Sequence, residues 1–418
     1  MIPDRLFELA FIYKKTKLWK KLWDTQIFGV RFSDGDIGYC CIMGMMGELN
    51  AIAVYLGQSG LYSMRTLHDD PESKDALASM ELMHIQDCLM LSFNNKSLLN
   101  ARDVEDIAAY CRSNGIDYPL RGKNAYPQFE RFRPGYERWY LEDAEDQRRM
   151  IEALEAVLEV SDRLVREMKT PEMLGLCEGT FYDREIPLLT KQGDGFRWEA
   201  FPLPPHKPVE WPPIVIDDDL SLARLQKAPR KGEWAMRLFR FVTPLTTQEE
   251  DGLPFDKLTV VPFYPWAMIT VEIKTGYVLS TSLCDTPEDY TRFFAQKLTD
   301  CVANFGMPGR IVVLDDRTEQ AMRSFCDQFG VRLERRKRCK ALTEALDDLL
   351  GHMLSGEEDD DGDSLEETME MLRQPDFVAA LPDEFLKMIF STTKPSDFPE
   401  DVYDIVHKEG IRRGLLKK

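Results

Sequence analysis

Two adjacent carboxylates close an apolar, β-prone run in Ile-Val-Val-Leu-Asp-Asp, residues 311–316. Asp315 and Asp316 stand at the end of a predicted buried strand, where a helix-like stretch begins. Carboxylate oxygens converging on a sheet edge are the ligands that Mg²⁺ and Mn²⁺ take, and a pair of such ions activates water against a phosphodiester. The same residues also end strands and cap helices without any metal. Other chemistries have weaker signatures. Nine cysteines are present, none in a C-x-x-C pair, and Cys40 and Cys41 are adjacent. The five histidines, His68, His84, His206, His352 and His407, are scattered, and none has zinc-ligand spacing with a cysteine. No histidine neighbours a cysteine in sequence, so a cysteine hydrolase has no local signature. Gly44 and Gly47 in Met-Gly-Met-Met-Gly lack the Lys and Ser/Thr of a phosphate-cradling loop and read as turn glycines.

The elements that must position these residues are built from 418 residues, enough for two or three domains, and 44% of them are apolar. The formal net charge is -19, which repels phosphate backbones and disfavours nucleic acid as a partner. Cys88, Cys284, Cys301 and Cys326 lie in apolar or mixed segments and read as buried free thiols of a reducing cytoplasm. No apolar run has membrane-spanning length, and the first residues lack the apolar core and small-residue cleavage site of a signal peptide, so a soluble protein with no membrane partner is expected.

Along the chain, four regions are expected: an α+β module over 1–165, a connecting region over 166–255, an α/β module over 256–352, and an acidic linker with a helical tail over 353–418. The first module opens with a basic amphipathic helix over 3–24, read as a docking helix with Leu6, Leu9, Ile12 and Leu18 inward. Antiparallel strands follow over 27–32, 37–45 and 50–56, with turns at 33–36 and 47–48. A helix starts at Gln58 or Ser59, and a short one covers 72–83. A strand over 85–93 and a helix ended by Gly115 come next. The stretch 118–141, dense in rings, arginine and proline, reads as an ordered loop packed over a sheet, and 142–168 as one long helix. The proline-rich 201–213 and the acidic 355–364 read as exposed connectors.

From Leu258 to about Leu350 the order is strand, tight turn, strand, helix, strand, helix, strand, helix, with Thr286 and Pro287 opening the first helix and Gly306 ending it. On Glu-Ile-Lys-Thr-Gly-Tyr (272–277) and Gly-Met-Pro-Gly-Arg-Ile-Val-Val-Leu-Asp-Asp (306–316), this module resembles the ribonuclease H-like fold of integrase and transposase cores. The resemblance implies Glu272 as a first acid, Asp315 as a second, and Glu344 or Asp347 as a third on the following helix. It covers under a quarter of the chain. It departs from the pattern at Glu272, where Asp is usual, and at Asp316-Arg317, where Asn-Gly is usual. Alternation puts Met268, Thr270 and Glu272 on one strand face, so Glu272 approaches Asp315 if their strands are neighbours. The basic run 332–340 would neutralise a phosphate or pair with these carboxylates.

Over its whole length the chain also resembles bacterial proteins known as domains of unknown function, through residues 39–61 with 125–141 and residues 256–279 with 306–316. That resemblance implies two modules and no activity. The expected function is a non-enzymatic cytoplasmic module, without cofactor, that binds a protein partner. The alternative is a nuclease or phosphodiesterase using Mg²⁺ or Mn²⁺ on Glu272, Asp315 and Glu344.

Overall fold

The computed structural model describes residues 2–47, 49–69, 76–82, 84–207, 209–246, 253, 255–285, 289–355, 399–416 and the single positions 372, 373, 378 and 386. The elements up to residue 165 are α1 (Asp4–Thr16), β1 (Phe28–Arg31), β2 (Ile37–Met43), β3 (Ala51–Leu56), α2 (Gly57–Asp69), α3 (Ala76–Leu82), β4 (Cys88–Asn94), α4 (Ala101–Ser113), β5 (Tyr126–Phe132), β6 (Trp139–Tyr140) and α5 (Ala144–Val165). Then come β7 (Glu185–Gln192), β8 (Gly195–Pro202), α6 (Asp219–Gln226), β9 (Glu233–Arg240), β10 (Trp266–Glu272), β11 (Val278–Cys284), α7 (Thr291–Phe305), β12 (Arg310–Val313), α8 (Asp316–Phe329), β13 (Arg332–Arg335), α9 (Lys340–Ser355) and a last helix, α10 (Glu400–Arg412). This is a mixed α+β protein with two open sheets and a helical C-terminal end, as expected.

The first sheet has eight strands in the order β6-β5-β4-β3-β2-β1-β7-β8. All pairs are antiparallel except β1 with β7. Both faces are covered. Phe28, Val30, Cys40, Ile42, Ile52 and Val54 share a core with residues of α1, α4 and α5. Their neighbours Tyr39, Cys41, Ala53 and Tyr55 pack on the other face against Leu61 and Met64 of α2. Strands buried on both sides read as continuous apolar runs, which is why 37–43 and 51–56 are so plain in the sequence. The turn at 33–36 closes with Phe32 N–H donating to the Asp36 carbonyl, and Gly35 supplies its positive φ of 96°. The second expected turn includes Glu48, which lies outside the described residues.

The helix expected over 3–24 is shorter: α1 ends at Thr16, and Leu18 lies in a separate 3-10 turn, Leu18–Lys20. Leu6, Leu9 and Leu18 are buried as expected and Tyr13 joins them, whereas Ile12 faces outward, 40% exposed. The 118–141 stretch, expected as a loop over a sheet, instead supplies two of its strands, β5 and β6. Arg131 of β5 pairs with Asp87 and Asp146, and Arg102 lies over the Tyr140 ring. Eight of the nine cysteines are buried free thiols, and Cys177 is exposed.

The second sheet has the order β11-β10-β9-β12-β13. Strands β9, β10 and β11 form an antiparallel meander, and β12 and β13 run parallel to β9. One face packs on α7 and α8 through Trp234, Met236 and Leu238. The other packs on α9 through Ala235, Phe239, Ala267, Ile269 and Val271.

This topology corrects the reading of 166–255 as a connector. Strands β7 and β8 extend the first sheet beside β1, and β9 is the middle strand of the second sheet. The proline-rich stretch is likewise fixed at its end. Ile214 N–H donates to the Ala321 carbonyl at 2.8 Å, Tyr290 O–H donates to the Pro212 carbonyl at 2.8 Å, and Ile214 and Ile216 are buried. Three apolar residues in Trp-Pro-Pro-Ile-Val-Ile find a core on α8 that their prolines concealed. Thr286 and Pro287 lie outside the described residues, as do positions 356–364 of the acidic stretch. Helix α7 begins at Thr291, whose N–H and hydroxyl donate to Asp289.

Candidate functional site

The candidate carboxylates are brought to different places. Glu272 ends β10 opposite Trp234, at the start of β9. Asp315 follows β12, whose last residue Val313 stands opposite Met236. The Thr318 hydroxyl of α8 accepts the Leu238 N–H at 2.9 Å, which places the start of α8 level with Leu238. Four residues of β9 therefore separate the two acids lengthwise, roughly 13 Å, and two strand spacings separate them sideways, about 10 Å. The expectation that Glu272 approaches Asp315 fails because β9, unread as a core strand, lies between β10 and β12.

Each acid has local work. Asp315 is the N-cap of α8: its Oδ1 accepts the Thr318 N–H at 2.7 Å, and both carboxylate oxygens lie 2.9 Å from the Thr318 hydroxyl. The buried Arg237 holds its Nε 3.8 Å from Asp315 Oδ2. Glu272 closes the β10–β11 turn by accepting the Thr275 N–H at 2.7 Å and its hydroxyl at 2.8 Å. Slight burial acts to raise the Glu272 pKa, but these hydrogen bonds hold it below the usual carboxylate value. Glu344 sits one turn into α9, exposed, with Lys340 at 3.5 Å, and Asp347 is on the same exposed side. Helix α9 turns Leu342, Ala345 and Leu346 to the sheet instead. Among the described residues no group of three or more His, Cys, Asp or Glu is placed to hold a metal ion.

A different cluster forms at the carboxyl ends of β9 and β12. Such ends are where open α/β sheets usually place ligands. Here α3 of the first module covers them. Leu77 joins the core of the second sheet, and Glu81, 8% exposed, points its carboxylate between arginines. Glu81 Oε1 accepts from Arg317 Nη1 at 2.8 Å and from the Arg240 N–H. The Arg317 guanidinium lies 4.6 Å from the Trp211 ring centroid and 5.2 Å from that of Trp266. The Arg240 guanidinium lies 3.9 Å from Trp266 and donates to the Tyr264 carbonyl at 2.7 Å. Burial lowers the Arg240 pKa to about 10, with Arg317 adding to the effect. Burial acts the same way on Arg317, but the Glu81 carboxylate overrides it and raises that pKa.

Gly135 lets the backbone reach this cluster. Its φ is 81°, and a Cβ there would meet the Arg240 Cζ at 2.7 Å. Gly135 N–H donates to the His84 carbonyl at 2.7 Å, and its carbonyl accepts from Tyr264 N–H at 2.8 Å. Burial pulls the His84 pKa down to about 4, and the ring stacks on Tyr264. The sequence carried no signal for this junction, because Glu81 and Arg317 are far apart along the chain.

Two family models match the chain, each described as a domain of unknown function: DUF7309 over residues 4–177 and DUF6930 over residues 221–350. The chain is a two-module protein. No curated protein matches it. The Glu81–Arg317 contact joins the two domains, since Glu81 lies in the first matched span and Arg317 in the second.

The first domain also carries an open groove of about 880 Å³ between α1, the end of α5 and the β7–β8 turn. Leu9, Ile12, Leu158, Val165 and Phe196 give it apolar lining. Along its rim Glu155 bridges Arg5, at 3.0 Å, and Lys191. Lys191 and Phe196 lie beyond the DUF7309 span, so one wall is supplied by the strands after it.

Proposed function

We propose that the chain is a non-enzymatic, cytoplasmic protein-binding module of bacterial type, its second domain a ribonuclease H-like scaffold without that fold's acid set. The observation that carries this reading is the placement of Glu272 and Asp315 at opposite ends of the second sheet, each held by its own turn or helix. Arg237, a cation, stands beside Asp315 where a metal site would need a further acid. The meander followed by helix, strand, helix, strand and helix supports the scaffold assignment. The buried free thiols support a reducing compartment. No helix among the described residues is long and apolar enough to cross a membrane.

The rival reading is the Mg²⁺- or Mn²⁺-dependent nuclease or phosphodiesterase, and the two readings separate by linkage. A metal bound only by the folded state at a hundredfold excess over its Kd adds about 2.7 kcal/mol. Millimolar Mn²⁺ is therefore expected to leave the melting temperature where a matched ionic-strength control puts it. No hydrolysis of single- or double-stranded nucleic acid is expected. Mn²⁺-dependent hydrolysis that disappears in Asp315→Asn would overturn the proposal.

The partner surface this reading favours is the groove beside α1. Its apolar lining and mixed-charge rim suit an amphipathic segment of another protein. Val165 is 50% exposed, so Val165→Asp should leave the fold intact. In capture experiments from the native host, a protein retained by the wild type is expected to be lost with Val165→Asp. Equal retention by both would remove the groove from the proposal.

A further inference from the structure

Of the four strands that end the two sheets, three carry features that discourage further pairing. Strand β6 is only Trp139–Tyr140. Strand β8 has Arg197, Glu199 and Pro202, and β13 is four residues long with Arg332, Glu334 and Arg335. Short length, charge and proline are the usual means of blocking an edge. Strand β11 differs. It runs Val-Leu-Ser-Thr-Ser-Leu-Cys over seven residues, with no charge and no proline, in a chain that is 30% charged. Among the described residues its only strand partner is β10. Thr281 and Leu283 are exposed, and Tyr277, just before the strand, is 63% exposed.

The order of residues points to the occupant. Leu279-Ser280-Thr281-Ser282-Leu283 reads the same in both directions. Two antiparallel copies related by a two-fold axis through Thr281 place Thr281 against Thr281, Ser280 against Ser282, and Leu279 against Leu283. A two-fold contact must be complementary to itself, and a palindromic strand satisfies that without conflict. Thr–Thr and Thr–Ser pairs across antiparallel strands are favourable, whereas like charges directly opposite are not. The chain's net charge of -19 opposes self-association over most of its surface, and this uncharged strand avoids the repulsion. The β10–β11 register shifts between Thr270 and Val271, leaving Leu279 as the extra residue of a bulge. That bulge lies at the flank of the proposed pairing, and Ser280 to Ser282 remain in regular register with β10.

The geometry points to β11 as a self-association edge, through which two copies of this chain join their five-stranded sheets into one of ten strands. The inference is independent of whether the chain is catalytic. The test uses the full chain. Sedimentation is expected to give a concentration-dependent species of twice the monomer mass. Thr281→Lys, which sets like charges together at the axis, should give monomer with an unchanged circular dichroism spectrum. In a Cys177→Ser background, Thr281→Cys should form an intermolecular disulfide under mild oxidation. Directly opposed Cα atoms lie about 4.5–5.5 Å apart, within the disulfide range. Tyr277→Cys, four residues from the axis, should not crosslink. A wild type that stays monomeric at all concentrations, a dimer that survives Thr281→Lys, or equal crosslinking at both cysteines would overturn the inference.

Discussion

Arg317→Ala is expected to weaken the hold of the second sheet on α3 by about 3–5 kcal/mol, the usual cost of removing one partner from a buried ion pair. The loss has two sources. Among the described residues Glu81 would keep a buried carboxylate with only the Arg240 N–H to accept from, and the guanidinium contacts with Trp211 and Trp266 would vanish. A chain with two cores need not unfold in one step, so hydrogen exchange is the proper readout. Amides of α3 and the end of β9 should lose protection first, while β1 to β3 keep theirs. Replacing both partners, as Glu81→Leu with Arg317→Met, should recover most of the loss, because the double change leaves no buried charge alone. Unaltered protection in Arg317→Ala would mean that the contact contributes nothing to the junction.

The second large effect is a gain. Asp103, in the first turn of α4, is buried, and its Oδ2 accepts from Gln128 at 2.8 Å and from Asn100 at 2.8 Å. Burial pushes its pKa up to about 7, with Glu130 and Asp106 adding repulsion and the Gln128 hydrogen bond opposing. The folded state thus prefers the protonated acid. Stability that is fully present below the ordinary Asp pKa, near 4, is lost as pH rises towards 7. The shift corresponds to about 4 kcal/mol. Asp103→Asn keeps the shape and an oxygen for both donors, and it removes the ionisation. Its urea midpoint is expected to exceed that of the wild type at pH 8 and to match it near pH 4. Parallel midpoint curves for the two proteins would show that Asp103 does not set this pH dependence.

The inner strands β2 and β3 were legible because they are apolar on both faces, whereas β5 to β8 lie in stretches that read as a loop and a connector. Residues 37–43 and 51–56 announce themselves, and the reading placed them within two residues. Helix α5 was equally plain from the i, i+4 pairs along its length; the structure adds Asp143 as its cap. Strand β9 lies inside the stretch that reads as a connector, so its place at the centre of a sheet is hidden. Arg237 and Arg240 break its apolar run, and only the folded chain reveals that one meets Asp315 and the other Trp266. Missing that role also misplaced the acids. Alternation along β10 correctly set the face of Glu272, but alternation says nothing about strand order. Glu81 was out of reach altogether, since a single acid in a seven-residue helix carries no mark of arginines that lie far along the chain.

The central place of β9 bears on how the chain is made. Strands β10 and β12 never touch, so the second sheet can be joined only through residues 233–240. On the ribosome these residues emerge first, with neither neighbour yet synthesised. The β10 side follows about 26 residues after Arg240, and the β12 side about 70 residues after it (266 minus 240, and 310 minus 240). At about 5–20 residues per second, the second flank stays open for roughly 4–14 s. During that interval Trp234, Met236, Leu238 and Phe239, all buried in the finished protein, have no partners on the β12 side. The nascent chain therefore carries a transient sticky strand, and this is the stage at which a chaperone would be most needed.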